Sequence, residues 1–271
     1  MNLLNSSIDL KELAKQKKSE YQNAEPFPNI VIHDFFDVDV LNKLLDEFPD
    51  LSKSKDVKKF DTHNEKKLAT KGESNFGDVT KQVVHFLNSQ PILEFLQELT
   101  GIEETLMPDP YFEGGGYHEI KPGGLLKVHA DFNKSKLNGL DRRINLLVYL
   151  NKDWDESYGG HFELWDREMK RSYKNILPTF NTVAIFSTTD FSYHGHPNKL
   201  TCPPDRSRKS LALYYYSNGR PASEVNKGME EHTTLFVSRA GVKEDVKNTR
   251  SLKSILIDCI PPIIFNAIKK K

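Results

Sequence analysis

The run Val128-His129-Ala130-Asp131 sets an imidazole and a carboxylate two positions apart. On an extended strand residues i and i+2 face the same way, so His129 and Asp131 can address a single point. A second imidazole follows 65 residues after His129, from His194 or His196 in Ser192-Tyr193-His194-Gly195-His196-Pro197. Two histidines and one carboxylate cover one face of an octahedral ion and leave the other positions open, the set suited to non-haem Fe(II) oxygen chemistry. The His-x-Asp pair alone arises often by chance, and an ordinary hydrogen-bonded surface pair is its usual meaning. Further parts in order give it weight. Arg208-Lys209-Ser210 begins 14 residues beyond His194 and opens a strand-like run. There Arg208, Ser210, Ala212 and Tyr214 share one face, and Leu211, Leu213 and Tyr215 the other. The first face is poor apolar core but suits a pocket for a carboxylate. Arginine's planar fork matches such a group, and the serine hydroxyl adds a donor.

The elements that must position these residues are short strands. After Pro108 come YHEI, LLKVHAD, INLLVYL, GHFELW, TVAIFS and SLALYYYS, separated by Gly, Pro, Asn and Asp. This pattern predicts a sandwich or barrel. The region before it predicts helices. Residues 8–22 form a surface helix, and a second helix capped by Asp37 or Asp39 buries Leu41, Leu44, Leu45 and Phe48. Residues 78–99 are helical with a restart near Pro91, and Gly101 caps the end. Asn29–Phe36 predicts a strand, and the lysine-rich 51–77 a long loop. The fold class expected from this pattern is α+β, mainly β, with a sandwich or barrel core buttressed by N-terminal helices. Its organisation is a support region over 1–107, a core over 108–220 and a C-terminal extension with a helix over 221–271.

Composition narrows the function classes. The 38 Lys plus Arg balance the 38 Asp plus Glu, so no overall field draws in nucleic acid. Two distant cysteines, Cys202 and Cys259, make neither a disulfide framework nor a cysteine zinc site. The N-terminus lacks the apolar stretch of a secretory signal, and no run approaches the roughly 20 apolar residues of a membrane span. A reducing, cytoplasmic setting is expected. The C-terminal SILIDCIPPIIFNAIKKK, broken by two prolines, is expected to dock as a helix rather than lie in a membrane interface. Oligomeric state is not legible.

Residues from about 111 to 220 resemble the catalytic core of the prolyl hydroxylases within the Fe(II)/2-oxoglutarate-dependent dioxygenases. The resemblance is carried by the His-x-Asp pair, the distal histidine, the arginine after it, and Tyr149-Leu150-Asn151-Lys152-Asp153-Trp154-Asp155 followed by Gly159-Gly160. It implies that the β core is a double-stranded β-helix (jelly-roll, cupin-like). It implies Fe(II) held by His129, Asp131 and His194, because the family places its ligand directly before a turn such as His-Gly. It implies that Arg208, helped by Tyr149 and Ser210, binds the far carboxylate of 2-oxoglutarate. It further implies dioxygen as cosubstrate, ascorbate as reductant, and hydroxylation of a prolyl residue in a peptide or protein with release of succinate and CO2. Arg142 and Tyr214 are candidates for substrate contact, against a solvated loop charge and an ordinary amphipathic strand. One departure is that Ile120 to Lys127 contains no tyrosine, so the cosubstrate wall differs. The rival readings are the same chemistry on a free amino acid, sugar intermediate or small metabolite, a zinc or cupin-like hydrolase, and a non-catalytic binding module.

Overall fold

The computed structural model describes residues 2–225 and 231–245. The N-terminal region supplies α1 (Leu10–Gln22), β1 (Asn29–His33), α2 (Val38–Asp46), β2 (Val57–Asp61), β3 (Glu65–Thr70), α3 (Asp78–Leu87) and α4 (Gln90–Thr100). Then come β4 (Met107–Pro108), β5 (Gly116–Ile120), β6 (Leu125–Ala130), β7 (Asp141–Tyr149), β8 (Phe162–Trp165), β9 (Ser172–Ile176), β10 (Thr182–Ser187), β11 (His194–His196), β12 (Arg208–Ser217) and β13 (Leu235–Phe236). The strands pair in the order β1-β10-β7-β12-β5-β3-β6-β11-β8-β9, with β2 on β3, β4 on β12 and β13 on β6. The ladders between these strands are antiparallel. The sheet curls back on itself. Phe186 on β10 and His194 on β11 are far apart in strand order, yet their ring centroids are 4.7 Å apart. This is the expected jelly-roll-like core, built from mostly antiparallel, curled sheet.

Strand period sorts side chains onto two surfaces. Ile144, Leu146 and Val148 of β7, Leu211, Leu213 and Tyr215 of β12, and Val183 and Ile185 of β10 face outward into the main apolar core. The helices bury Leu41, Leu44, Val83, Val84, Leu87, Ile92, Phe95, Leu96 and Leu99 against them. Each such side chain contributes roughly 1.5–3 kcal/mol through burial. The alternate residues, Asn145, Leu147, Tyr149, Arg208, Ser210 and Tyr214, line the interior of the curl. The helical layer thereby fixes the phase of the strands that carry the chemistry.

Helix ends follow local rules, with one tertiary exception. Asp9 and Asp37 accept from the first-turn amides of α1 and α2. Gly101 closes α4 at φ 70°. Helix α3 has no cap from its own N-cap residue, Gly77. Glu47, just past α2, supplies it, accepting from Val79 N and Thr80 N at 2.9 Å and from Thr80 Oγ1 at 2.8 Å. A Cβ on Gly77 would meet the Glu47 carboxyl carbon at 2.3 Å, so the residue must be glycine for this contact.

Two expectations are corrected. The loop read over 51–77 contains the hairpin β2–β3, and β3 joins both β5 and β6. Lysines on its exposed positions, with Lys58 and Lys67 set over the Phe60 ring, hid the strand pattern. The strand from Asn29 stops at His33, because Asp34 turns the chain at φ 53° and the Asn181 amide binds both backbone groups of Phe36. The helix expected near the C-terminus falls outside the described residues. Within them, no helix is long and apolar enough to cross a membrane.

Candidate metal centre and adjoining pocket

β6 and β11 lie side by side, with His194 opposite His129. This register brings the rings to 4.5 Å between centroids. Asp131 follows β6 and sits between them, its oxygens 3.5 Å from His129 Nε2 and 3.4 Å from His194 Nε2. One ligand-type atom from each of these residues falls within 4.8 Å of the others. Each imidazole is set by its far nitrogen: His129 Nδ1 donates to Lys127 O and His194 Nδ1 to Ser192 O, both at 2.8 Å. That tautomer turns both Nε2 lone pairs toward Asp131, the arrangement a metal needs. Burial, then the His194 ring beside it, hold the pKa of His129 below the usual imidazole range. The donor set therefore fits a divalent ion.

Asp131 is anchored from behind. Its Oδ2 accepts from Arg142 Nη2 at 3.0 Å and from Asn145 Nδ2 at 2.7 Å. Burial alone would raise its pKa. Arg142 and the two histidines outweigh that and hold the carboxyl well below the usual carboxylate range. Arg142 is only 1% exposed, so the reading as a solvated loop charge is wrong. Its Nε also donates to Asn145, and its guanidinium lies 3.4 Å over the Tyr214 ring. Tyr214 in turn donates to Gly114 O.

Next to the three ligand-type residues is a cavity of about 70 Å³, lined by Arg208, Ser210, His196, Lys67 and His118 among others. Arg208, only 5% exposed, donates from Nε to Gly160 O at 2.8 Å and from Nη2 to Tyr149 Oη at 3.3 Å. Among the described residues no carboxylate pairs with it. A desolvated guanidinium whose partners are neutral favours an anion in the adjoining space. Lys209 points the other way, its Nζ on Ser207 and over the Phe48 ring. Phe162 and Phe186 wall the His194 side. A wider cleft of about 370 Å³ opens onto Asp131, with Tyr111, Phe132, Leu137, Arg142 and Tyr214 in its walls. A larger groove, about 750 Å³, lies between the N-terminal arm and the helices and holds none of these groups.

The structure thus gathers His129, Asp131, His194, Arg208, Ser210, Tyr149, Arg142 and Tyr214 around one interior. Besides the wall residues Phe162 and Phe186, four contributors escaped the sequence reading. Asn145 had a usable signal, being a polar amide on the inward phase of the apolar run INLLVYL. Lys67 lay in the segment taken for a loop, His118 showed no partner spacing, and Phe236, whose ring is 5.5 Å from His129, sits on the short β13.

Residues 115–216 match the model of the 2OG-Fe(II) oxygenase superfamily. A prolyl 3-hydroxylase OGFOD1 of Xenopus laevis is 27% identical over 177 residues, covering 62% of this chain and 31% of that protein. The chain spans less than a third of the length of the curated relatives it matches. Among solved structures, a prolyl hydroxylase from Trichoplax adhaerens, in complex with a hypoxia inducible factor oxygen degradation domain peptide, superposes with TM-score 0.57 at 15% identity, over 77% of this chain and 90% of that one. A Pseudomonas putida prolyl-4-hydroxylase does so with TM-score 0.54 at 15% identity, over 77% and 100%. The structural likenesses show the fold, and the family match falls on the segment that carries His129, Asp131, His194 and Arg208. Residues 115–216 thus match the 2OG-Fe(II) oxygenase superfamily, and the fold around them is similar to that of prolyl hydroxylases.

Proposed function

We propose that the protein is an Fe(II)- and 2-oxoglutarate-dependent dioxygenase that hydroxylates a prolyl residue in a peptide or protein. The carrying observation is the pairing of a three-ligand cluster with a buried, acid-free Arg208 across one small cavity. When bound, the metal supplies the oxidising chemistry that couples loss of CO2 from 2-oxoglutarate to C–H hydroxylation. The chain does the rest. His129 and His194 aim Nε2 at the ligand cluster because Nδ1–H of each is held by a backbone carbonyl. Arg142 and Asn145 keep Asp131 ionised and aimed. Arg208, with Tyr149 and Ser210, takes the far carboxylate and so sets the distance from that group to the ligands. Phe162 and Phe186 keep water from the histidine side.

The prolyl substrate is supported by the prolyl hydroxylase relatives and by the open cleft at Asp131, whose exposed rim residues Tyr111 and Leu137 suit an extended chain. A dicarboxylate pocket has no use in a zinc hydrolase. A cytoplasmic setting and ascorbate as reductant belong to the same proposal; the buried free thiol of Cys202 agrees with a reducing environment. The test is to incubate the Fe(II)-loaded protein with 2-oxoglutarate and a panel of proline-containing peptides and metabolites. Succinate release coupled to gain of one oxygen on a peptide proline supports the proposal. Oxygen gained only on a metabolite overturns the substrate, and metal-dependent hydrolysis without succinate overturns the reaction.

A further inference from the structure

His196 lies on β11 two residues past His194 but does not join the metal cluster. The ladder slips between them: His194 pairs with His129, whereas His196 pairs with Leu126. That slip leaves His196 in the cavity it shares with Arg208 and Ser210. It is 3% exposed, and neither Nδ1 nor Nε2 has a hydrogen-bond partner among the described residues. His129 and His194, by contrast, each spend Nδ1 on a backbone carbonyl.

Buried polar atoms are nearly always paired, and an unmet one costs stability that an apolar side chain would not. The neighbouring wall is apolar where it can be, with Leu126, Leu147 and Phe162. A leucine at 196 would suit that wall, so the imidazole needs another reason. An imidazole carries at least one N–H to donate, and both ring nitrogens here are unmet among the described residues, in the cavity that Arg208 and Ser210 line. Arg208 has already committed Nε and Nη2 to Gly160 and Tyr149. A carboxylate has about four lone-pair sites, and a guanidinium offers one carboxylate at most two parallel N–H groups, so Arg208 and Ser210 together leave a site for a further donor.

Resting on the oxygenase reading above, we propose that His196 is a cosubstrate-positioning residue whose ring N–H donates to the same far carboxylate of 2-oxoglutarate that Arg208 pairs with. Hydrogen bonds to charged groups are the stronger kind, so loss of this one weakens 2-oxoglutarate by roughly ten- to a hundredfold.

The experiment titrates two oxo acids into Mn(II)-loaded protein calorimetrically: 2-oxoglutarate, and 2-oxobutyrate, which lacks the far carboxylate. His196→Leu and His196→Met remove the donor, and His196→Gln restores one. We expect the Leu and Met variants to lose affinity for 2-oxoglutarate but not for 2-oxobutyrate, and Gln to recover much of the loss. The cosubstrate-free Leu variant should melt no lower than wild type, because an unmet polar group has been removed. Unchanged 2-oxoglutarate affinity in both the Leu and Met variants overturns this inference and leaves the oxygenase reading standing. Equal weakening of both acids places His196 at the metal end and overturns it too. No 2-oxoglutarate binding by wild type overturns both readings.

Discussion

Arg142 donates to Asp131 Oδ2 at 3.0 Å from a position where its guanidinium also stacks on Tyr214. One side chain therefore fixes the carboxylate's rotamer, its charge and the wall of the wider cleft. We expect Arg142→Ala to weaken Mn(II) or Fe(II) binding by about 10–100-fold, the usual cost of losing a partner of a ligand. Arg142→Lys should restore little, since an ammonium cannot serve Asp131, Asn145 and the ring together. Metal titration of the two variants decides it; wild-type affinity in the alanine variant would show that Asn145 alone suffices.

The three ligands should behave as a unit. His129→Ala, Asp131→Ala and His194→Ala are each expected to abolish turnover and stoichiometric metal binding while circular dichroism stays native. Full activity with iron still bound in any of them would remove that residue from the site.

Arg208→Ala takes away the buried guanidinium proposed to pair with the far carboxylate. Losing one partner of a desolvated pair costs about 3–5 kcal/mol, or hundreds- to thousands-fold in affinity. The 2-oxoglutarate requirement should rise by that order with metal binding unchanged. Lys209→Ala, whose ammonium lies on the opposite side near Ser207 and Phe48, should leave the requirement near wild type. Kinetic titration of 2-oxoglutarate against both variants is the check, and a reversed pattern would mean the pocket is built around the lysine.

Stability should carry a pH signature from Glu47. Burial raises its pKa, but the hydrogen bonds from Val79 and Thr80 outweigh burial and lower it. A carboxyl with a depressed folded-state pKa stabilises above its unfolded value, roughly 4.3, and loses that contribution as pH falls through the lower folded value. Glu47→Gln should therefore cost on the order of 1 kcal/mol at neutral pH, as for a lost helix cap, and progressively less in acid. Urea midpoints at neutral and acid pH test this. A difference independent of pH would mean the charge is not what caps α3.

Strand phase made much of the interior legible. The same-face argument for His129 with Asp131, and for Arg208 with Ser210 and Tyr214, needed only the period of two, and the structure keeps both phases. Tyr149 came from resemblance, and the register opposite Ser210 explains why it belongs there. What period cannot give is which groups meet across the curl. Arg142 looked like a loop charge because its carboxylate partner comes from a different strand. His196 shared the phase of His194 on paper, yet the ladder slip set it beside Leu126. The β2–β3 hairpin was missed because lysine-rich strands on an exposed ladder show little apolar alternation.

The short β13 has a consequence for where this protein can be cut. β3 covers the first half of β6 at Leu125 and Leu126, and β13 covers the second half at His129 and Ala130. Val237 N adds a bond to Val128 O, and Lys127 Nζ reaches Glu244 O. The strand that carries His129 is thus sealed by two segments lying outside the family-matched 115–216 on either side. A fragment trimmed to the matched residues would bare one edge of β6, the edge opposite its pairing with β11. An open edge of that kind recruits strands from other molecules, so such a fragment should self-associate through the strand meant to hold its metal.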